Sequence, residues 1–222
     1  MFKTGNSFTD VLLLGISFLP LLPAVLIFIR RLYGLEPFNF LALICLLCFL
    51  RGLISLIYPL SRENQYFTNK VFALLLFLLF ALTFRSGLGG KLRYGLTLLL
   101  TSLVSVVFTY WSLTGWGVAS PGIGMLLNGS LAVLIAISVS VVFHNDELGV
   151  FRSPVFWMGG GTLFYLLLSL LLEGIGIGGN PLTGPADPEK RLFLGLAELV
   201  QYLSFTIAVF SFHREGEEAG GL

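Results

Sequence analysis

Long apolar runs separated by short polar stretches cover almost the whole chain. One of them, Leu41–Leu60, contains a single formally charged residue, Arg51. An α-helix of about 20 apolar residues is long enough to cross the hydrocarbon core of a bilayer. Seven runs approach this length, so the pattern predicts an all-α integral membrane protein built as one bundle of seven transmembrane helices. The predicted spans are Phe8–Ile29, Phe38–Pro59, Phe67–Phe84, Leu92–Leu113, Gly122–Phe143, Pro154–Ile175 and Leu192–Phe212.

The connections between these runs are short, and the longest, residues 176–191, is rich in glycine and proline. Short connections favour antiparallel neighbours in one bundle, so residues 1–222 are predicted to form a single transmembrane domain. Pro20 and Pro23 lie inside the first span, where proline removes a backbone donor and bends a helix. That span is predicted to be kinked. Because two arginines follow it directly, it is also predicted to be a retained helix rather than a cleaved signal peptide.

Lysine and arginine are distributed unevenly between the two sides of the predicted bundle. If the N-terminus is outside, seven of them fall on the cytoplasmic side and five on the outer side. Cytoplasmic loops are usually the richer in these residues. The sequence therefore predicts an N-out, C-in orientation. Tyr58, Trp111 and Trp116 then lie near the outer interface, where tyrosine and tryptophan are enriched.

Two charged residues lie inside predicted spans at a similar depth. Arg51 is eight residues before the end of its span and Glu198 is six residues after the start of its own, which puts both about 10 Å below the outer end. An arginine in hydrocarbon costs about 2.5–3.5 kcal/mol unless it faces protein or water, so we predict that Glu198 pairs with Arg51. Polar residues of four spans would complete an outward-facing ligand- or partner-binding pocket: Arg51, Glu198, Gln201, Tyr202, Asn128 and Tyr110. The alternative is an ion pair with hydrogen bonds that only orients the helices.

Small and hydroxyl-bearing residues recur every four positions on the fourth and fifth spans. Small residues let helix backbones approach closely, so these two faces are predicted to pack against each other, with Ser105 near Ala136. The alternative is a path for water or ions between them. In the sixth span, residues 159–161 are all glycine and predict close packing or a hinge. The two ladders are Thr97, Thr101, Ser105 and Thr109, and Asn128, Ala132, Ala136 and Ser140.

The amino-acid composition excludes several classes of protein. Hydrophobic residues make up 56% of the chain and charged residues 11%, whereas soluble domains carry about 25% charged residues. With a net charge of +1 and no large basic patch, the chain is not predicted to bind nucleic acid. Cys45 and Cys48 lie inside the second span and are interpreted as packing residues, because a zinc site needs more ligands. No metal and no cofactor are predicted.

The most polar cytoplasmic stretch is predicted to be residues 144–153, between the fifth and sixth spans. It contains His144, Asp146, Glu147 and Arg152 and is the candidate cytoplasmic loop for a partner protein. Both histidines of the chain lie at predicted helix ends. Favourable charge at a helix C-terminus explains them better than haem ligation does.

Sequence motifs of common membrane enzymes are absent from the chain. There is no H-E-x-x-H, no G-x-S-x-G and no Walker A sequence, which would supply a zinc site, a serine nucleophile or a phosphate-binding loop. The seventh span also lacks the lysine that a retinal Schiff base requires. The chain is therefore predicted not to be an enzyme.

One stretch near the fifth and sixth spans resembles known proteins. The residues FHNDEL at 143–148, FRSPVFW at 151–157, and then Gly160, Gly161 and Tyr165 are similar to small bacterial seven-helix membrane proteins that are thought to work alongside sensor kinases. The resemblance covers about 25 residues and carries over no functional residue. It implies a location in the bacterial cytoplasmic (inner) membrane and an accessory role in signalling.

These observations favour a sensory or partner-docking module that receives its signal at the outer pocket. It would act through a membrane protein partner or a second copy of itself. The alternatives are a small transporter or channel, and a structural subunit of a larger membrane complex. No inverted repeat is visible in the seven spans, which counts against a transporter.

Overall fold

The structure is a computed structural model that describes residues 7–57, 62–85, 88, 90–118, 120–145, 151, 153–174 and 188–212. Within these ranges the regular structure is helical and no strand occurs. The helices are α1 (Ser7–Phe18), α2 (Leu21–Ile29), α3 (Phe38–Ile57), α4 (Arg62–Arg85), α5 (Gly90–Thr114), α6 (Pro121–Asn145), α7 (Pro154–Gly174) and α8 (Pro188–Ser211).

Most of these helices are long and apolar enough to cross a membrane. Six stretches meet that requirement by length and composition, and α3 is a shorter apolar helix over Phe38–Ile54. The predicted all-α class with membrane-type helices is therefore confirmed. Seven crossings and the N-out orientation stay predictions. The six stretches are Val11–Ile29, Asn64–Arg85, Arg93–Thr114, Gly122–His144, Pro154–Leu172 and Leu192–Ser211.

The first span is divided into two helices, which confirms the kink predicted from its prolines. α1 ends at Phe18 and α2 begins at Leu21. Pro20 and Pro23 have no N–H group, so the α-helical bonds to the carbonyls four residues earlier cannot form. Tighter bonds replace them, from Leu19 N to the Ile16 oxygen at 3.1 Å and from Leu22 N to the Leu19 oxygen at 3.0 Å. The break falls near the middle of the span.

The core lies where α2, α3, α4, α6 and α8 meet. The side chains of Ile27, Ile44, Phe84, Ile135 and Phe205, one from each helix, are almost completely buried. Lipid tails are as apolar as these side chains, so van der Waals packing rather than escape from water stabilises such contacts. Around this core, the first span packs against both α3 and α8, and α4 packs against α3, α5 and α6.

The glycines of α7 allow two close helix contacts, as predicted. Gly159 faces Val139 and Ile135 of α6, and Gly161 faces α8. A Cβ atom at position 161 would lie 2.6 Å from the Cβ atom of Ser204 and 3.2 Å from the Cα atom of Gln201. Nothing lies within 4 Å of a Cβ at Gly160, so that glycine is not required for packing.

The predicted contact between the fourth and fifth spans is wrong. Ser105 of α5 and Ala136 of α6 are both exposed, and α6 packs against α7 and α4 instead. The hydroxyl ladder of α5 bonds within its own helix, for example from Ser105 Oγ to the Thr101 oxygen at 2.9 Å. Because each hydroxyl already has a backbone acceptor, it needs no partner on a neighbouring helix.

α5 is consequently a peripheral helix. Only 17% of its candidate span is buried, the lowest share among the six stretches. It is tied to α4 near both ends. Lys70 Nζ donates to the Gly115 oxygen at 3.0 Å just beyond one end, and Arg85 Nη1 donates to Thr97 Oγ1 at 3.0 Å near the other.

The last turn of α8 is held by an arginine from the first span. Arg30 directly follows α2, and its guanidinium donates to the backbone oxygens of Val209, Phe210 and Phe212. Carbonyls at a helix C-terminus have no partner within the helix, and a positive charge there is favourable. Arg30 therefore anchors α2 to the end of α8.

Candidate functional site

Arg51 lies in α3, near the end of the apolar stretch Phe38–Ile54. It stands six residues before Ile57, which corresponds to about 9 Å along the helix. Its side chain is exposed, and Nη2 donates to Asn69 Oδ1 of α4 at 3.4 Å. That distance exceeds the usual range of about 2.7–3.2 Å. Within the described residues, the guanidinium therefore has donors available for a further acceptor.

Glu198 and Tyr202 approach Arg51 from α8. They are four residues apart and so share a face of the helix. Glu198 is half-buried and feels the attraction of the Arg51 guanidinium. Tyr202 is almost completely buried and lies near Cys48, one turn before Arg51 on α3.

We call these five residues, Cys48, Arg51, Asn69, Glu198 and Tyr202, the Arg51 cluster. Its members come from α3, α4 and α8. The predicted pairing of Arg51 with Glu198 stays a prediction, and the hydrogen-bond partner of the guanidinium among the described residues is Asn69. The cluster combines an exposed cation with a half-buried carboxylate. Such a combination can receive a polar or charged group.

Three of the residues predicted to line the pocket have other surroundings. Gln201 turns towards α7, where its Nε2 donates to Thr162 Oγ1 at 3.3 Å. Tyr110 is 44% exposed on the peripheral α5, and Asn128 is half-buried on α6. Among the residues that the structure describes, no contact joins these three to Arg51. The candidate site is therefore formed by three helices, whereas the predicted pocket was formed by four.

The predicted cytoplasmic loop is described only at its two ends. His144 is exposed in the last turn of α6, whereas Asp146, Glu147 and Arg152 lie outside the described residues. Where the chain resumes, Trp157 Nε1 donates to the Phe151 oxygen at 2.8 Å. The Phe143 ring meets Phe156 with 5.6 Å between centroids. Aromatic contacts thus hold the start and the end of this loop together.

Sequence reasoning missed two contributors to polar contacts in the membrane. Asn69 lies only two residues after the start of the predicted third span, Phe67–Phe84, about 3 Å along the helix, so the predicted depths did not bring it to the level of Arg51. Lys70 is one of the five basic residues that the predicted orientation places on the outer side. Its side chain is only 7% exposed, and its Nζ lies 5.1 Å from the centroid of the Trp111 ring, a distance suited to a cation–π interaction. No pattern in the sequence indicates that this lysine turns inward.

No protein-family model, no curated protein and no solved structure matches this chain. The resemblance to proteins associated with sensor kinases therefore stays a prediction. Within the described part of the chain, no group of three or more His, Cys, Asp or Glu side chains could hold a metal ion. The chemistry of the Arg51 cluster is therefore the basis for a proposed function.

Proposed function

We propose that this chain is a non-enzymatic integral membrane protein that docks a partner or binds a ligand at the Arg51 cluster. The observation that carries the proposal is the state of Arg51, which is exposed on the apolar helix α3 and makes, among the described residues, one long hydrogen bond, to Asn69. Ionisable residues inside membrane spans are rare and mark functional sites by default. The group that completes the site would bring hydrogen-bond acceptors to the guanidinium.

The free-energy cost of placing an arginine in hydrocarbon favours a partner within the membrane. An arginine in hydrocarbon is unfavourable by about 2.5–3.5 kcal/mol at the centre of a helix, and Glu198 offsets part of this through its opposite charge. The remaining cost is reduced when a polar group of another chain or a ligand covers the guanidinium. This reduction would favour docking at this place.

In the proposed sensory role, the signal would leave through the loop at residues 144–153. α8 supports this direction of transmission, because it carries Glu198 and Tyr202 and ends in the turn held by Arg30. A shift of α8 at the Arg51 cluster would move that anchored turn as well. A separate membrane protein or a second copy of this chain would receive the signal.

Site-specific photocrosslinking in native membranes tests the proposal. A photoreactive amino acid at Leu50, which is 46% exposed beside Arg51, should give a discrete adduct that disappears in the Arg51→Met variant. The matched control is Leu113 on α5, 83% exposed, where any adduct should not depend on Arg51. An adduct at position 50 that is unchanged by Arg51→Met would refute docking at the cluster. So would the lack of any adduct there in well-expressed protein.

A small transporter is the second candidate, and the divided first span favours it. Transporters build their sites from discontinuous membrane helices near the midplane, and the break at Leu19–Pro20 falls near the middle of a span that packs beside α3 and α8. Purified protein in proteoliposomes should then move a charged or polar solute. The flux should be lost in Arg51→Met and kept in Gly160→Ala.

A further inference from the structure

α1 lies across the groove between α3 and α8. One face of this helix, formed by Leu13, Ile16 and Ser17, contacts a glycine on each neighbour. A Cβ atom on Gly52 of α3 would lie 3.4 Å from Ser17 Cβ, and one on Gly195 of α8 would lie 2.8 Å from Leu13 Cδ2. Because glycine has no side chain, it lets helices approach closely. α1 is therefore seated directly on both backbones.

The two contact points flank the Arg51 cluster. Gly52 follows Arg51 directly on α3. Gly195 is three residues before Glu198 on α8, and residues three apart share a helix face. The face of α8 that carries Glu198 is thus the face on which α1 rests. α1 therefore packs beside the part of α8 that carries Glu198.

Of the two halves of the first span, α2 is attached more firmly to the other helices than α1. In α2, Ala24 and Ile27 are almost completely buried, and the following Arg30 is bonded to the last turn of α8. In α1, Leu13 and Ile16 are also buried, but α1 packs less extensively than α2 against both α3 and α8. A small cavity also separates α1 from α3, lined by Ser17, Phe18, Phe49, Gly52 and Leu53.

The break between the halves provides a hinge. Neither Pro20 nor Pro23 can donate a backbone hydrogen bond, so no continuous α-helical ladder crosses residues 19–20. Discontinuous membrane helices of this kind are tolerated where neighbouring groups satisfy the freed backbone. Rotation of α1 at this point leaves the bonds within α2 intact, and the anchor at Arg30 stays in place.

We propose that α1 is a lid that turns at Leu19–Pro20 to open the groove between α3 and α8, so that a polar or charged group at the exposed Arg51 also reaches Glu198, Tyr202 and Cys48, and that it then closes again. The inference rests on the proposed function, since it assigns the route by which the cluster is reached. The closed form is the one described by the structure. The open form exposes Glu198, Tyr202 and Cys48 to the surroundings of α1.

A disulfide between α1 and α3 tests the lid. Ser17→Cys and Gly52→Cys place their Cβ atoms about 3.4 Å apart, close to the mean of about 3.8 Å found in disulfides. In a Cys45→Ala background, Cys48 is the one remaining native thiol and reports on access to the cluster. The rate at which N-ethylmaleimide modifies Cys48 is measured by peptide mass spectrometry on the purified full chain, with and without the 17–52 link.

The linked protein should react at Cys48 about tenfold more slowly than the unlinked Cys45→Ala protein, because the link removes a minor open state. The control is the Ser17→Ala, Gly52→Ala double variant, which has no crosslink and should react at the unlinked rate. Pro20→Ala restores a donor at the break and should slow the reaction without any link.

Two results would overturn the lid. One is an unchanged Cys48 rate in the linked protein, and the other is failure of the 17–52 disulfide to form in folded protein under oxidation. Neither result bears on whether Arg51 docks a partner, because the labelling uses purified protein and needs no partner. Conversely, a photoadduct at Leu50 that is unchanged in the Arg51→Met variant would refute the docking proposal. It would not bear on the motion of α1.

Discussion

Adding one methyl group at Gly161 tests the contact between α7 and α8. The new Cβ atom would lie 2.6 Å from Ser204 Cβ and 3.2 Å from Gln201 Cα. Carbon atoms in favourable contact are about 3.5–4.0 Å apart, so α8 would have to move by about 1 Å. The movement would also stretch the hydrogen bond from Gln201 Nε2 to Thr162 Oγ1, which is already 3.3 Å long.

The neighbouring glycine provides the matched control for this substitution. Gly160→Ala meets nothing within 4 Å and changes helix propensity by the same amount, about 1 kcal/mol in favour of alanine. Overpacking of a tight contact costs about 1–3 kcal/mol. The difference in unfolding free energy between Gly161→Ala and Gly160→Ala therefore isolates the packing term, and should amount to about 1–3 kcal/mol.

Thermal unfolding of the two variants in detergent measures that difference. For a protein of this size, each kcal/mol corresponds to about 2–4 °C in melting temperature, so Gly161→Ala should melt several degrees below Gly160→Ala. Adding Ser204→Gly removes the closest clashing atom and should restore most of the loss. Equal melting temperatures for the two alanine variants would refute the close approach of α7 and α8.

Further predictions concern the charged residues. In a double-mutant cycle of Arg51→Met and Glu198→Gln, the combined loss of stability in detergent should fall short of the sum of the single losses by about 1 kcal/mol. Strictly additive losses would mean that the two charges do not interact. Lys70→Met loses the bond to the Gly115 oxygen and should lower stability by about 1–2 kcal/mol. Full stability in that variant would contradict the inward position of the lysine. A reporter fused after Leu222 should be found on the cytoplasmic side, and an external signal would reverse the predicted orientation.

The apolar pattern predicted the helices well, because run length and proline position act locally. α7 begins at Pro154 as predicted, and the division of the first span lies at the prolines that indicated it. The largest difference is α4, which begins at Arg62 rather than Phe67. Its first residues are polar, and hydropathy measures the part of a helix that fits hydrocarbon rather than the whole helix.

Helix neighbours were harder to predict than the helices themselves. A ladder of small residues, such as the one through Ser105, indicates that a face accepts close contact, but it does not indicate which helix comes to it. The glycines at 159 and 161 gave a correct prediction because a missing side chain is useful only where a neighbour fills the space. Polar ladders can instead bond to their own backbone.

The candidate site was predicted in part. Counting residues from the ends of the spans predicted a similar depth for Arg51 and Glu198, because the rise per residue is fixed in an α-helix. Depth does not determine the direction in which a side chain points around the helix axis. Gln201 lies at a depth similar to that of Arg51 yet faces α7, and Tyr110, nearer the outer end of its span, is exposed on α5. Asn69 supplies the contact that was not predicted.

The weak attachment of α5 has a consequence for assembly. Membrane helices insert individually and associate afterwards, and regions with few buried contacts open at the lowest free energy. α5 buries Leu100, Val107 and Trp111 against the bundle and is bonded to Lys70 and Arg85 near its two ends, but only 17% of its span is buried. The remaining helices can therefore assemble around α4 before α5 docks. On heating, α5 would be the first element to separate, while the groups around Arg51 and the anchor at Arg30 are still in place.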